Sequence, residues 1–312
     1  MRVVSLGSGS SGNALLVEAG PNGRTKLLVD AGFSERILRE RLRSTGVSIS
    51  QIQGILITHE HADHILGLAT IMKRYATPVV ADPRTLAAIE QSLTAGLLSS
   101  ESGTLVSLET KMATDSIQHF FGRDISNGHS VRDHSIDLTI GTRYMLGDIE
   151  VVSFPVSHDA VAPCGYLLSA GGCRVCVVTD SGEVTTPMLE VINQADLLIL
   201  ESNHDRERLL RGPYPYSLKQ RILSSTGHLS NDQAAEAVLR TWRTDAVRWL
   251  WLSHLSRTNN TPKIAMNNMQ SRIQAAGANL AQIHISVLPH VMGGVWDSTQ
   301  LWKSPTLWEM QM

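Results

Sequence analysis

Three cysteines among 312 residues cannot build a disulfide framework, and the odd number points to reduced thiols. Cys173 and Cys176 do form a C-x-x-C, but within CRVCVVTD, a stretch that reads as a strand. No second pair exists and no thioredoxin-like context surrounds it, so ordinary strand residues are preferred to a structural zinc or redox pair. No apolar run approaches the ~20 residues of a membrane span. The opening MRVVSLGSGSSGN breaks its apolar run after a few residues, as a strand entering a Gly/Ser loop does and a signal peptide does not. Neither charge sign dominates: 27 Lys plus Arg stand against 29 Asp plus Glu, a net charge of -2. That argues against a global polyanion-binding surface and a polybasic anchor, so any nucleic-acid contact must come from a local patch. The expectation is a cytoplasmic protein with no membrane contact.

What is present is ample apolar material, 42% of the chain, enough for one sizeable domain or two small ones. Val3–Leu6, Ala14–Glu18 and Lys26–Asp30 read as an opening meander separated by Gly/Ser/Asn turns. Helical spacing is expected over Glu35–Arg43 and Asp63–Arg74, with the strand Gly54–Ile57 between them. Further strands are expected at Ile149–Phe154, Gly165–Leu168, Val175–Thr179, Ala195–Leu200, Val247–Leu252 and Ile283–Val287. Ser230 followed by Gln233 is a capping-box pattern opening a helix, and Thr261–Ala276 is another helix. Trp242, Trp249 and Trp251 read as core. Residues 93–147, rich in Ser, Thr, Gly, Asp and His with weak periodicity, read as an insertion or lid, and His119, His129 and His134 within it as ordinary loop residues. The fold class is α/β, with two sheets covered by helices.

The chemistry concentrates in Thr58-His59-Glu60-His61-Ala62-Asp63-His64, directly after Gly-Ile-Leu-Ile. Three imidazoles and a carboxylate fall where a buried strand gives way to a helix. His59 and His61, alternate residues of an extended turn, can converge on one ion, while Asp63 and His64 point to a neighbouring one. This donor set suits zinc or manganese. A solvated polar turn would also explain the cluster, but three further strands run into His158, Asp180 and His254. Ligands delivered from strand ends onto one edge of a scaffold are held more firmly than ligands on free loops.

His-x-His-x-Asp-His followed by a later His, Asp and His resembles the metal motif of the metallo-β-lactamase superfamily. The resemblance implies an αββα sandwich, a single domain over residues 1–312, and two divalent ions, zinc or manganese. Position by position, His59, His61 and His158 would hold the first ion, Asp63, His64 and His254 the second, with Asp180 bridging them. Asp30, in Leu-Val-Asp-Ala-Gly, matches the family's aspartate that orients a ligand by hydrogen bonding. GSGSSGN (7–13), SHDA (157–160), ESNHD (201–205), TGHLSN (226–231) and LSHLS (252–256) together resemble the YycJ/WalJ branch, described as DNA exonucleases acting 5′-to-3′. Residues 93–147 are longer than that pattern.

His228 precedes the capped helix in a Gly-containing loop, where backbone N–H groups and an imidazole can both meet a phosphate; a plain turn residue is the alternative. In related phosphodiesterases a histidine at this point contacts the scissile phosphate. Asn203, His204 and Asp205 either line the same edge or support it. Residues 7–13 lack the end of a nucleotide P-loop and read as a hairpin turn, to which the resemblance adds Ser10, Ser11 or Asn13 facing the site. Arg206, Arg208, Arg211, Lys219 and Arg221, with Tyr214 and Tyr216 interleaved, either track a phosphate backbone or form a solvated helix pair. The expected reaction is phosphodiester hydrolysis of nucleic acid, DNA by resemblance, through a hydroxide bridging the two ions, with Asp63, Asp180 and His228 catalytic. The rivals are a phosphodiesterase of small cyclic or nucleotide substrates, a thioester hydrolase, and a non-catalytic nucleic-acid-binding subunit.

Overall fold

A computed structural model describes residues 1–98 and 131–302. Fourteen strands lie among these residues: β1 Arg2–Gly7, β2 Ala14–Ala19, β3 Thr25–Val29, β4 Gly54–Leu56, β5 Val79–Ala81, β6 Ser135–Asp137, β7 Arg143–Leu146, β8 Ile149–Pro155, β9 Cys164–Ala170, β10 Cys173–Val178, β11 Leu197–Glu201, β12 Arg248–Ser253, β13 Ile283–Val287 and β14 Val295–Asp297. They form two seven-stranded sheets, ordered β14-β1-β2-β3-β4-β5-β6 and β13-β12-β11-β10-β9-β8-β7.

Most central strands are apolar at consecutive positions because both of their faces are buried. In β11, Leu197 and Ile199 point into the core between the sheets, while Leu198 and Leu200 pack beneath outer helices. Val3 and Val4 divide the same way in the first sheet. The core between the sheets includes Leu27, Val80, Tyr166, Val177, Trp251 and the fully buried Trp296. Outside the first sheet lie helices Glu35–Ser44, Leu68–Tyr75 and Pro83–Leu98; outside the second lie Thr186–Ile192, Asn231–Arg240 and Pro262–Ala275. The result is an αββα sandwich.

Two local differences from the sequence reading have physical causes. The helix expected over Asp63–Arg74 is two pieces, Ala62–Ile65 and Leu68–Tyr75. At the break, Gly67 N donates to Ala31 O, and a Cβ there would meet the Phe33 carbonyl. Residues 99–130 of the segment read as an insertion lie outside the described residues. Residues 131–147 instead supply β6, paired parallel to β5, and β7, paired antiparallel to β8. Edge strands are half solvated, and that polarity made them read as loop. Cys173 packs between the sheets and Cys176 on the opposite face of β10, so the C-x-x-C thiols point apart, as ordinary strand residues do. Among the described residues, no helix is long and apolar enough to cross a membrane.

Candidate metal centre

Parallel pairing brings the chemistry to one edge. β10, β11 and β12 run parallel, with Val178 opposite Leu200 and Glu201 opposite Ser253. Their carboxyl ends therefore release Asp180, Glu201 and His254 side by side. β3 and β4 do the same in the first sheet, leading to Asp30 and to the Thr58–His64 turn. The Tyr166 hydroxyl donates to Ile57 O at 2.6 Å, and Cys164 N to Thr58 O at 3.0 Å, tying that turn across to the second sheet.

Three histidines meet on one side. His59 Nε2 lies 3.1 Å from His61 Nδ1, and His158 Nε2 lies 3.3 Å from the same atom. On the other side, Asp63 Oδ2 is 3.6 Å from His64 Nε2 and 3.5 Å from His254 Nε2. Asp180 stands between them: Oδ2 is 3.0 Å from His64 Nε2, and one arrangement of donor atoms groups Asp180 with His59 and His64 within 4.8 Å. All of these side chains are buried except His61 and Asp63, which are partly exposed.

The far nitrogens are held by supporting groups, which fixes ring orientation. Asp30 Oδ2 is 2.8 Å from His64 Nδ1, while Asp30 Oδ1 accepts from both Thr58 N and Thr58 Oγ1. Gly227 O lies 3.0 Å from His158 Nδ1. Glu201 Oε1 lies 2.9 Å from His254 Nδ1. Asp30 and His254 have φ of 61° and 53°, a left-handed backbone that is costly outside glycine and persists only when surroundings enforce it. At His254 the enforcement is visible: its N–H donates to Ser8 Oγ, and its carbonyl accepts from Asn203 Nδ2.

The electrostatics suit cation binding. Burial, reinforced by His64 and His61, pushes His59 well below the ordinary imidazole range, and burial lowers His158 as well. Burial opposes ionisation of Asp180, but His254, His228 and His64 outweigh it and hold the carboxyl well below its usual range. Burial likewise disfavours charge on His64 and His254, yet neighbouring carboxylates raise both well above the usual value. Two buried atoms, Asp180 Oδ2 and His254 Nε2, make no hydrogen bond. Facing imidazole nitrogens, ionised carboxylates and these unsatisfied atoms together form a donor set that fits divalent zinc or manganese.

Comparison with known proteins gives the family. The family model for a beta-lactamase superfamily domain matches residues 25–247. The chain belongs to that superfamily. It is 34% identical over 277 residues to a protein named exodeoxyribonuclease YycJ from Bacillus anthracis, covering 89% of this chain and 90% of the relative. It is 35% identical over 271 residues to exodeoxyribonuclease WalJ of Streptococcus pneumoniae serotype 2, covering 87% of each. Among solved structures, the metallo-beta-lactamase fold protein YhfI from Bacillus subtilis superposes with a TM-score of 0.60 at 16% identity, covering 95% of this chain and 99% of that one. The superfamily member described here is a metal-dependent hydrolase of the YycJ/WalJ branch.

The other singled-out residues fall at varied places. His228 sits between the two groups, with ring centroids 5.1 Å from His158 and 5.4 Å from His254. Its Nδ1 is 2.8 Å from Glu201 Oε1 and 3.1 Å from Asp180 Oδ1. Burial favours its neutral form, but Glu201 and Asp180 reverse that and raise its pKa to about 9. Asp205 caps helix Arg206–Arg211 by accepting from Arg208 N. His204 is buried with neither ring nitrogen hydrogen-bonded, and burial lowers its pKa to about 4. Ser10 and Ser11 are exposed at the loop tip, Ser11 Oγ accepting from Arg257 Nη2. Arg208 Nη2 and Lys219 Nζ donate to the carbonyls of Thr258 and Leu210, and Arg206 is exposed.

Three residues of the site, Glu201, Thr58 and Ser8, carry no site assignment in the sequence reading. Glu201 is fully buried and also accepts from Ser181 N and Leu229 N. Its signal was a carboxylate ending the apolar run Leu-Leu-Ile-Leu. Thr58 touches Asp30, His59 and His64. Ser8 holds His254. Asn13, which the resemblance offers as facing the site, has Nδ2 3.3 Å from Asp63 Oδ2 and 3.1 Å from His64 Nε2. Such hydroxyl and amide groups carry no spacing signature.

Proposed function

We propose that this protein is a dinuclear metal-dependent phosphodiesterase that degrades DNA as an exonuclease in the 5′-to-3′ direction. The observation that carries the chemistry is the position of Asp180 and His228 between two groups of candidate ligands. In this reading His59, His61 and His158 would hold one ion and Asp63, His64 and His254 the other, with Asp180 available to either group. When bound, such ions supply Lewis acidity toward phosphoryl oxygens and lower the pKa of the attacking water.

The chain's own residues do the rest. Asp30, Thr58, Gly227 O and Glu201 aim the imidazoles, so little reorganisation is needed when substrate arrives. Glu201 engages His228 Nδ1, which directs the opposite ring nitrogen outward, and the ring is 21% exposed. From there His228 donates a proton to the departing oxygen or a hydrogen bond to the phosphoryl group. The choice of DNA is supported by the two relatives named exodeoxyribonucleases, similar over nearly the whole chain.

The test is incubation of manganese- or zinc-loaded protein with end-labelled single- and double-stranded DNA and RNA and with bis(p-nitrophenyl) phosphate, beside Asp180→Ala. Stepwise shortening of DNA from the 5′ end, absent in the variant, is the expected result. Cleavage of the chromogenic ester with every polymer left intact would replace this reading with a small-substrate phosphodiesterase.

A further inference from the structure

The segment 205–221 carries five basic residues, and the fold separates them by role. Lys219 and Arg208 donate to main-chain carbonyls, and Arg211 pairs with Glu207 on its own helix. Arg221 alone among the five contacts a residue adjoining a candidate ligand. Its Nε donates to Asp159 Oδ2 at 2.5 Å, and Asp159 Oδ1 lies 3.4 Å from His158 Nε2, the nitrogen that faces the site. The guanidinium is therefore one carboxylate away from the histidine group.

Its backbone is fixed to the same machinery. Arg221 lies near the end of helix Tyr216–Leu223, from which a tight loop leads to His228. His228 N donates to Ile222 O, and the carbonyl of Gly227 lies against His158 Nδ1. Gly227 is packed so closely that a Cβ would collide with the carbonyls of both Arg221 and Ile222. Arg221, His158 and His228 are thus tied together through the 222–228 loop. The Arg221 side chain nevertheless remains 46% exposed and that of Asp159 29% exposed, so the pair stands at the mouth of the site. The centre behind it holds four buried or partly buried carboxylates, Asp30, Asp63, Asp180 and Glu201.

We propose that Arg221 is a specificity-determining residue that binds a phosphate next to the scissile one, and that Asp159 is the positioning residue that orients its guanidinium. Engaging Asp159 through Nε fixes the guanidinium plane, and a planar fork of known direction is what bidentate phosphate recognition uses. The inference rests on the nuclease reading above. A surface ion pair that merely stabilises the loop is the competing account, and exposed pairs stabilise weakly.

The experiment measures hydrolysis of bis(p-nitrophenyl) phosphate, which has no neighbouring phosphate, and its competitive inhibition by a DNA oligonucleotide. Metal-loaded wild type, Arg221→Ala, Arg221→Lys and Asp159→Asn are compared. In Arg221→Ala the inhibition constant of the oligonucleotide should rise about tenfold, well beyond any change in kcat/KM for the ester, and its salt dependence should weaken by about one phosphate contact. Arg221→Lys should recover part of the loss. Asp159→Asn removes a negative charge yet should weaken oligonucleotide binding, because it frees the guanidinium; tighter binding would refute the positioning role. An unchanged inhibition constant in Arg221→Ala, or an equal loss on ester and oligonucleotide, overturns the proposal while the nuclease reading stands. An oligonucleotide that is neither cut by nor inhibitory to the wild type overturns both.

Discussion

Glu201 Oε1 lies 2.8 Å from His228 Nδ1 and 2.9 Å from His254 Nδ1, so one fully buried carboxylate orients two imidazoles. Its second oxygen accepts from the main-chain N–H groups of Ser181 and Leu229, which lock the carboxylate in place. Glu201→Gln keeps the size and removes the charge. Turnover of the chromogenic ester should fall by about 10–100-fold, the usual cost of losing a group that orients a ligand. His228→Ala should lower turnover by a factor on the order of 10²–10⁴ while leaving metal content intact, since His228 is proposed to act on substrate. Elemental analysis alongside the kinetics checks this division: metal loss in His228→Ala matching that of Asp180→Ala would refute it.

Chelation should both silence and destabilise the protein. With cations removed, the carboxylates and imidazoles of the centre must share protons and leave buried atoms such as His254 Nε2 unsatisfied. A ligand present at a hundred times its dissociation constant stabilises by about 2.7 kcal/mol, so a thermal melt in excess chelator should lie several degrees below the loaded protein. The difference should shrink as pH falls, because histidine ligands must be deprotonated to bind and neighbouring carboxylates hold His64 and His254 protonated above the usual imidazole range in the metal-free protein. Identical melts with and without chelator at neutral pH would count against a metal centre.

Asp148 links the two sheets from their turns, accepting from Arg24 Nε and Nη2 and from Thr25 Oγ1. Those hydrogen bonds, Arg24 foremost, lower its pKa to about 2. A carboxyl depressed on folding contributes stability above its unfolded pKa of about 4, and that contribution disappears as pH falls through the folded value. Asp148→Asn should therefore melt below wild type at pH 6, with the gap narrowing between about pH 4 and pH 2. A gap of constant size across that window would show that the carboxylate charge is not involved.

The sequence by itself determined the residue types at the centre and the two-faced burial of the strands. Both are local: an apolar strand releasing His59, Asp180 or His254 is legible within a dozen residues, and so is Ser230 capping its helix. The sandwich architecture followed from those strands together with the family motif. What the tertiary structure decided is convergence, because Asp180, Glu201 and His254 meet only through the parallel register of β10, β11 and β12. A one-residue slip in that register would turn each side chain to the opposite face. Tertiary structure also decided which polar neighbours matter: Thr58, Ser8 and Asn13 look like ordinary turn residues until the loops carrying them close on the ligands. The same holds for the basic segment, where helix packing leads Lys219 and Arg208 to main-chain carbonyls and Arg221 to Asp159. Edge strands β6 and β7 were missed because half their surface faces water, so their composition resembles loop. Local chemistry is written in short stretches of chain, whereas the distance between His61 and His158, 97 positions apart, exists only once the sheets have packed.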